Sequence, residues 1–244
     1  MRVREKLIVV PRNPSGARYA TGAARSKTRL SLVSSKKNQI IDDEPWREKH
    51  KAALPQRERP AELPEAFLGA DKFVSLTPGQ ITSAIYSKIG PGGGDKVAIF
   101  EGQPGPTPSY GFDFAKWVQN GKALWIYAAH VEGDILYVIA SYPGYANEIG
   151  GKTGYLAAPD VKTGKLLWQT GPRVANSYNL AVGSDFLICG YGFTAEPDYL
   201  FVVDKKTGRT LQRIPMKTAP EHIALEGNQL FVRCYNTDYI FKVR

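Results

Sequence analysis

From Gly94 onward the chain is a series of short apolar runs, each entered through a turn and each recurring at a nearly constant spacing. Val97-Ala98-Ile99 follows Gly94-Asp95, and Leu136-Tyr137-Val138 follows Gly133-Asp134. Leu187-Ile188 follows Gly183-Ser184-Asp185, and Leu230-Phe231-Val232 follows Gly227-Asn228. Gly-Asp and Gly-Asn make tight turns between antiparallel strands, so each run reads as a strand of a hairpin. A further strand then comes at a fixed offset, at Phe112 to Trp117, Tyr155 to Asp160, Tyr199 to Asp204 and Tyr239 to Arg244. The first three lead into a second marker: Gly121-Lys122-Ala123-Leu124-Trp125, Gly164-Lys165-Leu166-Leu167-Trp168 and Gly208-Arg209-Thr210-Leu211-Gln212. Its glycines lie 43 and 44 residues apart.

Several short strands per period of about 44 residues predict one four-stranded sheet per repeat, which is the sequence signature of a β-propeller blade. The expected fold is all-β, a partial or small propeller of PQQ/WD40-like blades with about four visible. The last copy lacks its outermost strand. Lys6–Val10 is the first candidate to supply it and Arg29–Ser34 the second, because an unpaired edge invites association.

Upstream of the repeats the pattern changes. Thr77-Pro78-Gly79-Gln80 has the order of a helix capping box, and Ile81, Ile85 and Ile89 recur every fourth residue before Gly90-Pro91. These predict a short helix at about 78–89. Residues 11–66 carry many prolines and no sustained period, and they bury too little apolar surface to offset ordering entropy. The expected organisation is a basic, largely irregular arm over residues 1–70, a helix and linker over 71–93, and repeats over 94–244.

One copy carries a full motif. Ala158, Asp160, Thr163, Gly164 and Trp168 fall into the order A-x-D-x-x-T-G-x-x-x-W. In this respect the chain resembles the quinoprotein-like, or PQQ-repeat, propeller family over about residues 94–244. The resemblance implies that aspartate and turn hold a hairpin while the tryptophan docks on a neighbouring blade. The first copy keeps Ala115, Gly121 and Trp125 but has Trp117 for the aspartate. The third keeps Asp204, Thr207 and Gly208 but has Gln212 for the tryptophan. Enzymes of that family use about eight blades, a vicinal cysteine pair and a calcium site of Glu, Asn and Asp. This chain has 244 residues and two separated cysteines, so no catalytic residue carries over and no cofactor is expected, pyrroloquinoline quinone included.

Charge changes the picture. The chain has a formal net charge of +9. Residues 1–60 hold 15 Lys/Arg against 6 Asp/Glu, whereas residues 61–244 hold 17 of each. The arm is therefore the place for nonspecific contact with an acidic partner such as nucleic acid or anionic lipid. Arg2, Arg4 and Lys6 precede only four apolar residues, Leu7 to Val10, which is short for a secretory leader, and no run is long enough to span a membrane. A cytoplasmic location is the expectation, with an extracytoplasmic one left open by the family resemblance. Cys189 and Cys234 sit in apolar strands and read as free buried thiols, with a disulfide between them the alternative.

Two motifs mimic nucleotide sites. Ala146 to Thr153 matches a loose phosphate-loop pattern, and Gly190-Tyr191-Gly192-Phe193-Thr194-Ala195 a dinucleotide fingerprint. Both need a helix to follow, whereas Tyr155 begins a strand and Pro197 interrupts the second. His50, His130 and His222 show no ligand spacing, although His130 with Glu132, or Glu221 with His222, would suit one propeller mouth. The aromatic loops are the better surface. Tyr142, Tyr145, Tyr191 and Phe193 are the expected ligand- or partner-lining residues, against the plain reading that half of them cap blade cores. Function then divides three ways: a non-enzymatic binding or scaffold module whose partner is another protein, a relative of a quinone-dependent dehydrogenase, or an anionic-surface binder acting through the arm.

Overall fold

In a computed structural model the described residues are 8–10, 26–38, 42–55, 72–75, 82–87, 96–101, 107–114 and 116–244. Two segments of the basic arm form strands β1 (Ile8–Val9) and β2 (Leu30–Lys37), followed by the short helix α1 (Glu44–Lys49) and a 3₁₀ turn at Lys51–Ala53. Next come β3 (Lys72–Ser75), β4 (Thr82–Ser87), β5 (Lys96–Glu101) and β6 (Tyr110–Asp113), which with β1 make sheet 1 in the order β1-β6-β5-β4-β3. A two-stranded hairpin, β7 (Val118–Gln119) and β8 (Lys122–Ala123), leads into β9 (Trp125–Glu132). Sheet 2 consists of β9, β10 (Ile135–Ser141), β11 (Tyr155–Pro159) and β12 (Leu166–Gln169). Sheet 3 consists of β13 (Ala181–Val182), β14 (Phe186–Phe193), β15 (Glu196–Asp204) and β16 (Thr210–Pro215). Sheet 4 takes β17 (Pro220–Glu226), β18 (Gln229–Cys234) and β19 (Thr237–Val243), and β2 returns from the arm as its outer strand. The protein is all-β, with successive four-stranded antiparallel sheets and one short helix among the described residues.

Strand alternation stacks the sheets face to face. On β10, Leu136, Val138 and Ala140 enter a core with Val97, Ile99 and Phe112 of sheet 1. Tyr137 and Ile139 on the same strand enter a second core with Leu187, Cys189, Phe201 and Val203 of sheet 3. Ile188, Leu200 and Val202 meet Leu230, Val232 and Phe241 of sheet 4 in a third. A strand buried on both faces must be apolar at nearly every position, which is why these runs are continuous rather than alternating. Cys189 and Cys234 are free and buried, and burial pushes both thiols well above the usual thiol range.

The repeated turn is built from its own side chains. Asp160 Oδ1 accepts from Thr163 N at 2.8 Å and from its hydroxyl at 2.6 Å. Asp204 Oδ1 accepts from Thr207 N at 2.9 Å and its hydroxyl at 2.8 Å. Gly164 and Gly208 follow at φ +68° and +70°, a conformation glycine adopts without penalty. Trp168, 2% exposed, lies on the bare face of Gly208, where an added Cβ would meet its ring at 2.5 Å, and its indole N–H donates to Lys205 O at 3.1 Å. Ala158, on β11 and opposite Trp168 in the ladder, is fully buried. Trp168 of sheet 2 thus docks on the Lys205–Gly208 turn of sheet 3. The equivalent slot over Gly164 is filled by Ile8 of β1. In the third copy, Gln212 Oε1 accepts from Leu30 N at 2.7 Å and its amide donates to Leu30 O at 3.1 Å, so the glutamine grips the backbone of β2.

Three expectations change. Residues 82–87 are strand, not helix: Ile85 pairs with Ala98 and Ala84 with Ile99. Isoleucines at every fourth position share one face of a strand as well as of a helix, and β-branching favours the strand. The capping box at Thr77 to Gln80 lies outside the described residues. β1 does not complete the last sheet; it runs parallel to β6, with Ile8 opposite Phe112, and Val10 enters the first core. The second candidate, β2, fills that place, with Leu30 opposite Val243 and Lys37 opposite Thr237. Trp125 is not the docking residue of its copy. Asn120 and Gly121, both at positive φ, close the β7–β8 hairpin in place of the aspartate-held turn, and Trp125 already begins β9. Trp117, fully buried and edge-on to Phe114 at 5.5 Å, fills that part of the core instead.

Candidate functional site

The four aromatic residues read from the loops fall into different settings. Tyr142 is half-buried on the first core, with its hydroxyl bonded to Glu148 at 2.9 Å and Lys122 at 2.8 Å. The Lys122 ammonium and the Tyr142 hydroxyl hold the Glu148 carboxyl below the usual carboxylate range. Tyr191, 2% exposed, is in the second core and donates to Glu196. Glu196 in turn accepts from Ala146 N at 2.6 Å, tying the Ser141–Ala146 loop to sheet 3. Tyr145 stands edge-on to Phe193 at 4.7 Å. Phe193 alone of the four lines the cavity described next.

That cavity, of about 540 Å³, opens between sheets 3 and 4. Its walls come from Tyr127 on β9, the Asn176–Tyr178 connection into β13, residues 192–194 at the end of β14, Asp198 on β15, and the segments 217–221 and 235–236. The connection is nailed down on both sides. Asn176 donates to Gly192 O at 2.7 Å and accepts from Gly192 N at 3.1 Å. Asn179 donates to Ile223 O at 2.7 Å and accepts from Ile223 N at 2.9 Å. Gly190 N also donates to Ser177 Oγ at 3.1 Å, and Tyr178 N to Glu221 O at 2.9 Å. Tyr178 is thereby presented from a rigid frame, 47% exposed, stacked on Tyr127 at 6.3 Å and 14°. Tyr235, on the β18–β19 turn, is 52% exposed.

Two carboxylates line the same space. Burial, with Glu196 nearby, pushes Asp198 up to about 6. Burial and the charge of Asp43 raise Glu221. No local sequence signal marks this cleft. Tyr178 and Asp198 sit in segments outside the repeat markers, and only the stacking of sheets brings them together.

The histidines stand on structural duties. His50 Nδ1 is 2.6 Å from Glu226 Oε1, and His222 Nε2 is 2.6 Å from Asp43 Oδ2. With Trp46 they cover the face of sheet 4 that carries Phe231. His130 lies on β9, where burial lowers its basicity. Among the described residues no group of three or more His, Cys, Asp or Glu is placed to hold a metal ion. At the phosphate-loop mimic, Thr153 Oγ1 accepts from Tyr142 N at 2.7 Å and the chain enters β11, so no helix N-terminus faces the loop.

No protein-family model and no curated protein matches the chain. Solved structures resemble it in fold. BamB from Moraxella catarrhalis is 14% identical, with 76% of this chain and 61% of that one covered, at a TM-score of 0.37. The computationally designed Ika4 protein is 12% identical, with 76% and 99% covered, at 0.44. A europium-containing methanol dehydrogenase is 13% identical, with 76% and 27% covered, at 0.39. The chain spans less than two thirds of the length of BamB and about a quarter of the dehydrogenase. It is structurally similar to PQQ-type β-propellers, a similarity of fold.

Proposed function

We propose that the protein is a non-enzymatic propeller module that binds a partner protein through the cleft between sheets 3 and 4. The observation that carries this reading is the pair of solvent-facing rings, Tyr178 and Tyr235, at one cavity whose frame is fixed by paired asparagine bonds. Exposed aromatics on a rigid scaffold give large contact area at low entropic cost, the usual make-up of a binding hot spot. A photo-crosslinking residue placed at Tyr235 in the full chain should yield defined adducts in cell extract, and Tyr178→Ala should abolish them. The same probe at Leu167, an exposed site on β12, should yield none. Equal labelling at both positions would exclude the cleft as the recognition surface.

A second reading rests on the exposed cations of the described arm, among them Lys27, Arg29, Lys36, Lys37, Lys49 and Lys51. They favour nonspecific attraction to an acidic partner at a surface distinct from the cleft.

A further inference from the structure

We infer that residues 42–54 form a strap that controls the cleft between sheets 3 and 4: docked on sheet 4, it fixes His222 and, through it, the ring of Tyr178. The inference rests on the binding reading above and names how that site is regulated. The strap carries α1 and the 3₁₀ turn and lies on the outer face of sheet 4. His50 Nδ1 meets Glu226 and His222 Nε2 meets Asp43, each at 2.6 Å. Arg233 donates from Nη2 to Asp42 O at 3.0 Å. The Trp46 ring lies 4.6 Å from His50 and 6.3 Å from His222.

From His222 the contacts continue into the cleft. Its ring lies 5.5 Å from that of Tyr178, which stacks on Tyr127 at 6.3 Å. The backbone of Tyr178 is held by Glu221 O and flanked by the bonded Asn176 and Asn179, which leaves the ring torsions as its freedom. The rings beside it set those torsions, and His222 owes its own orientation to Asp43 and Trp46. The charge of the strap reaches the same wall: burial first and Asp43 second raise the Glu221 carboxyl, with Arg233 opposing them.

The strap is the part of this arrangement that can let go. α1 has six residues, none of them buried, and Asp43 makes no side-chain cap bond to it. A helix so short does not hold itself together in water. It depends on the polar contacts to sheet 4 and on the His50 ring, 4.4 Å from that of Phe231. Segments fastened by few apolar contacts open at free energies well below that of global unfolding. The sheet beneath is different, with Ile223, Leu230 and Val232 fully buried in the third core. Release of the strap therefore leaves the sheets standing while freeing His222, and with it one wall of the cleft. A partner that prefers one orientation of Tyr178 then biases the strap by the same factor by which the strap biases its binding.

Full-length protein with ring-labelled tyrosine tests this by NMR, the Tyr178 resonances being assigned by their loss in Tyr178→Phe. Asp43→Ala removes the bond to His222 without altering any ring, and it should shift those resonances. Asp43→Asn keeps a hydrogen-bonding group for either imidazole tautomer and should restore them. Glu48→Ala, at an exposed position of the same helix, should leave them alone. The adduct yield from the cross-linker at Tyr235 should fall in Asp43→Ala by about fivefold or more, the low end of ordinary coupling between sites. Melting temperature checks the fold, and should Asp43→Ala not fold, Trp46→Leu interrupts the same contacts one ring further back and reads the same way. An unmoved Tyr178 ring in the folded variant overturns the inference, as does an equal shift in Glu48→Ala. If the ring moves as expected but the wild type gives no Tyr178-dependent adduct at Tyr235, the strap still sets the cleft wall and the partner reading falls. If adducts form and their yield ignores Asp43→Ala, the cleft binds whatever the strap does, and control by the strap falls.

Discussion

Trp168 and Asp198 show opposite ways in which one residue can matter. Trp168 fills the slot over Gly208, with its only polar atom satisfied by Lys205 O. Trp168→Ala should cost about 3–5 kcal/mol in denaturant unfolding, the range for a buried aromatic. Trp125→Ala should cost clearly less, because Trp125 is only half-buried at the head of β9. Equal losses would mean that the docking slot is not what gives Trp168 its weight. Asp198 works against stability. Its folded-state pKa, about 6, lies above the ordinary value of 3.8, so ionisation is harder in the folded protein. The stability it removes is absent below about pH 4, grows as pH rises, and is fully present above about pH 6. Asp198→Asn should therefore raise the melting temperature at pH 7.5 and leave it unchanged at pH 3.5. An unchanged value at pH 7.5 would show that the carboxylate is better solvated than its place in the cleft implies. The motif around Trp168 was legible because its residues are neighbours in sequence and serve one turn. Asp198 was not, since the space it faces is closed by the segment 217–221 and by Tyr235, which lie in the next sheet's stretch of the chain and carry no sequence link to it.

At the scale of elements, the repeated turns located the strands, and the non-repeating segments were misread where two periods coincide. The spacing of Ile81, Ile85 and Ile89 suits both a helix stripe and one strand face; for residues 82–87, Ile85 among them, pairing with β5 makes the segment a strand, while Ile81 and Ile89 lie outside the described residues. The last sheet announced its missing edge, yet the sequence held two candidate strands, the more apolar Lys6–Val10 and the less apolar Arg29–Ser34. The choice is made by what each one docks on: Ile8 over Gly164, and Leu30 between the Gln212 amide and the third core. Leu30→Asp places a charge at a position 5% exposed in that core. It should lower stability by about 3 kcal/mol or more, and it should free the edge of β19 for self-association. Urea denaturation and gel filtration check the two effects. Wild-type stability and elution would mean that β2 is dispensable. The outer edge of β2 is itself guarded, since its register slips at Ile240/Phe241 and it ends in exposed Lys36 and Lys37. A bulge and terminal lysines are the usual protection for such an edge.

For the whole molecule, the decisive point is that the basic segment is woven into the fold rather than appended to it. β2 completes sheet 4, α1 brings Trp46 and His50 over its outer face, and Ser26 N donates to Asp204 Oδ2 at 3.2 Å. Removing residues 1–60 would strip a sheet of its edge as well as removing charge, so attraction to acidic partners must be tested by substitution. Lys36, Lys37, Lys49 and Lys51 are exposed, and only Lys51 has an ion pair among the described residues, with Glu48 at 3.2 Å. Changing all four to Gln takes four charges from the region that carries the whole net excess, at side chains that are all exposed. If this surface meets phosphates, each lost contact lowers the slope of log affinity against log salt by about 0.9. Binding of the full-length protein to a mixed-sequence DNA duplex should then fall with salt, and the fourfold variant should bind more weakly with a slope shallower by up to about 3.6. Melting temperature should be unchanged, which separates loss of charge from loss of fold. Identical affinity and slope for the two proteins would place any anion binding elsewhere, on the blade loops, and leave the arm a purely structural clasp.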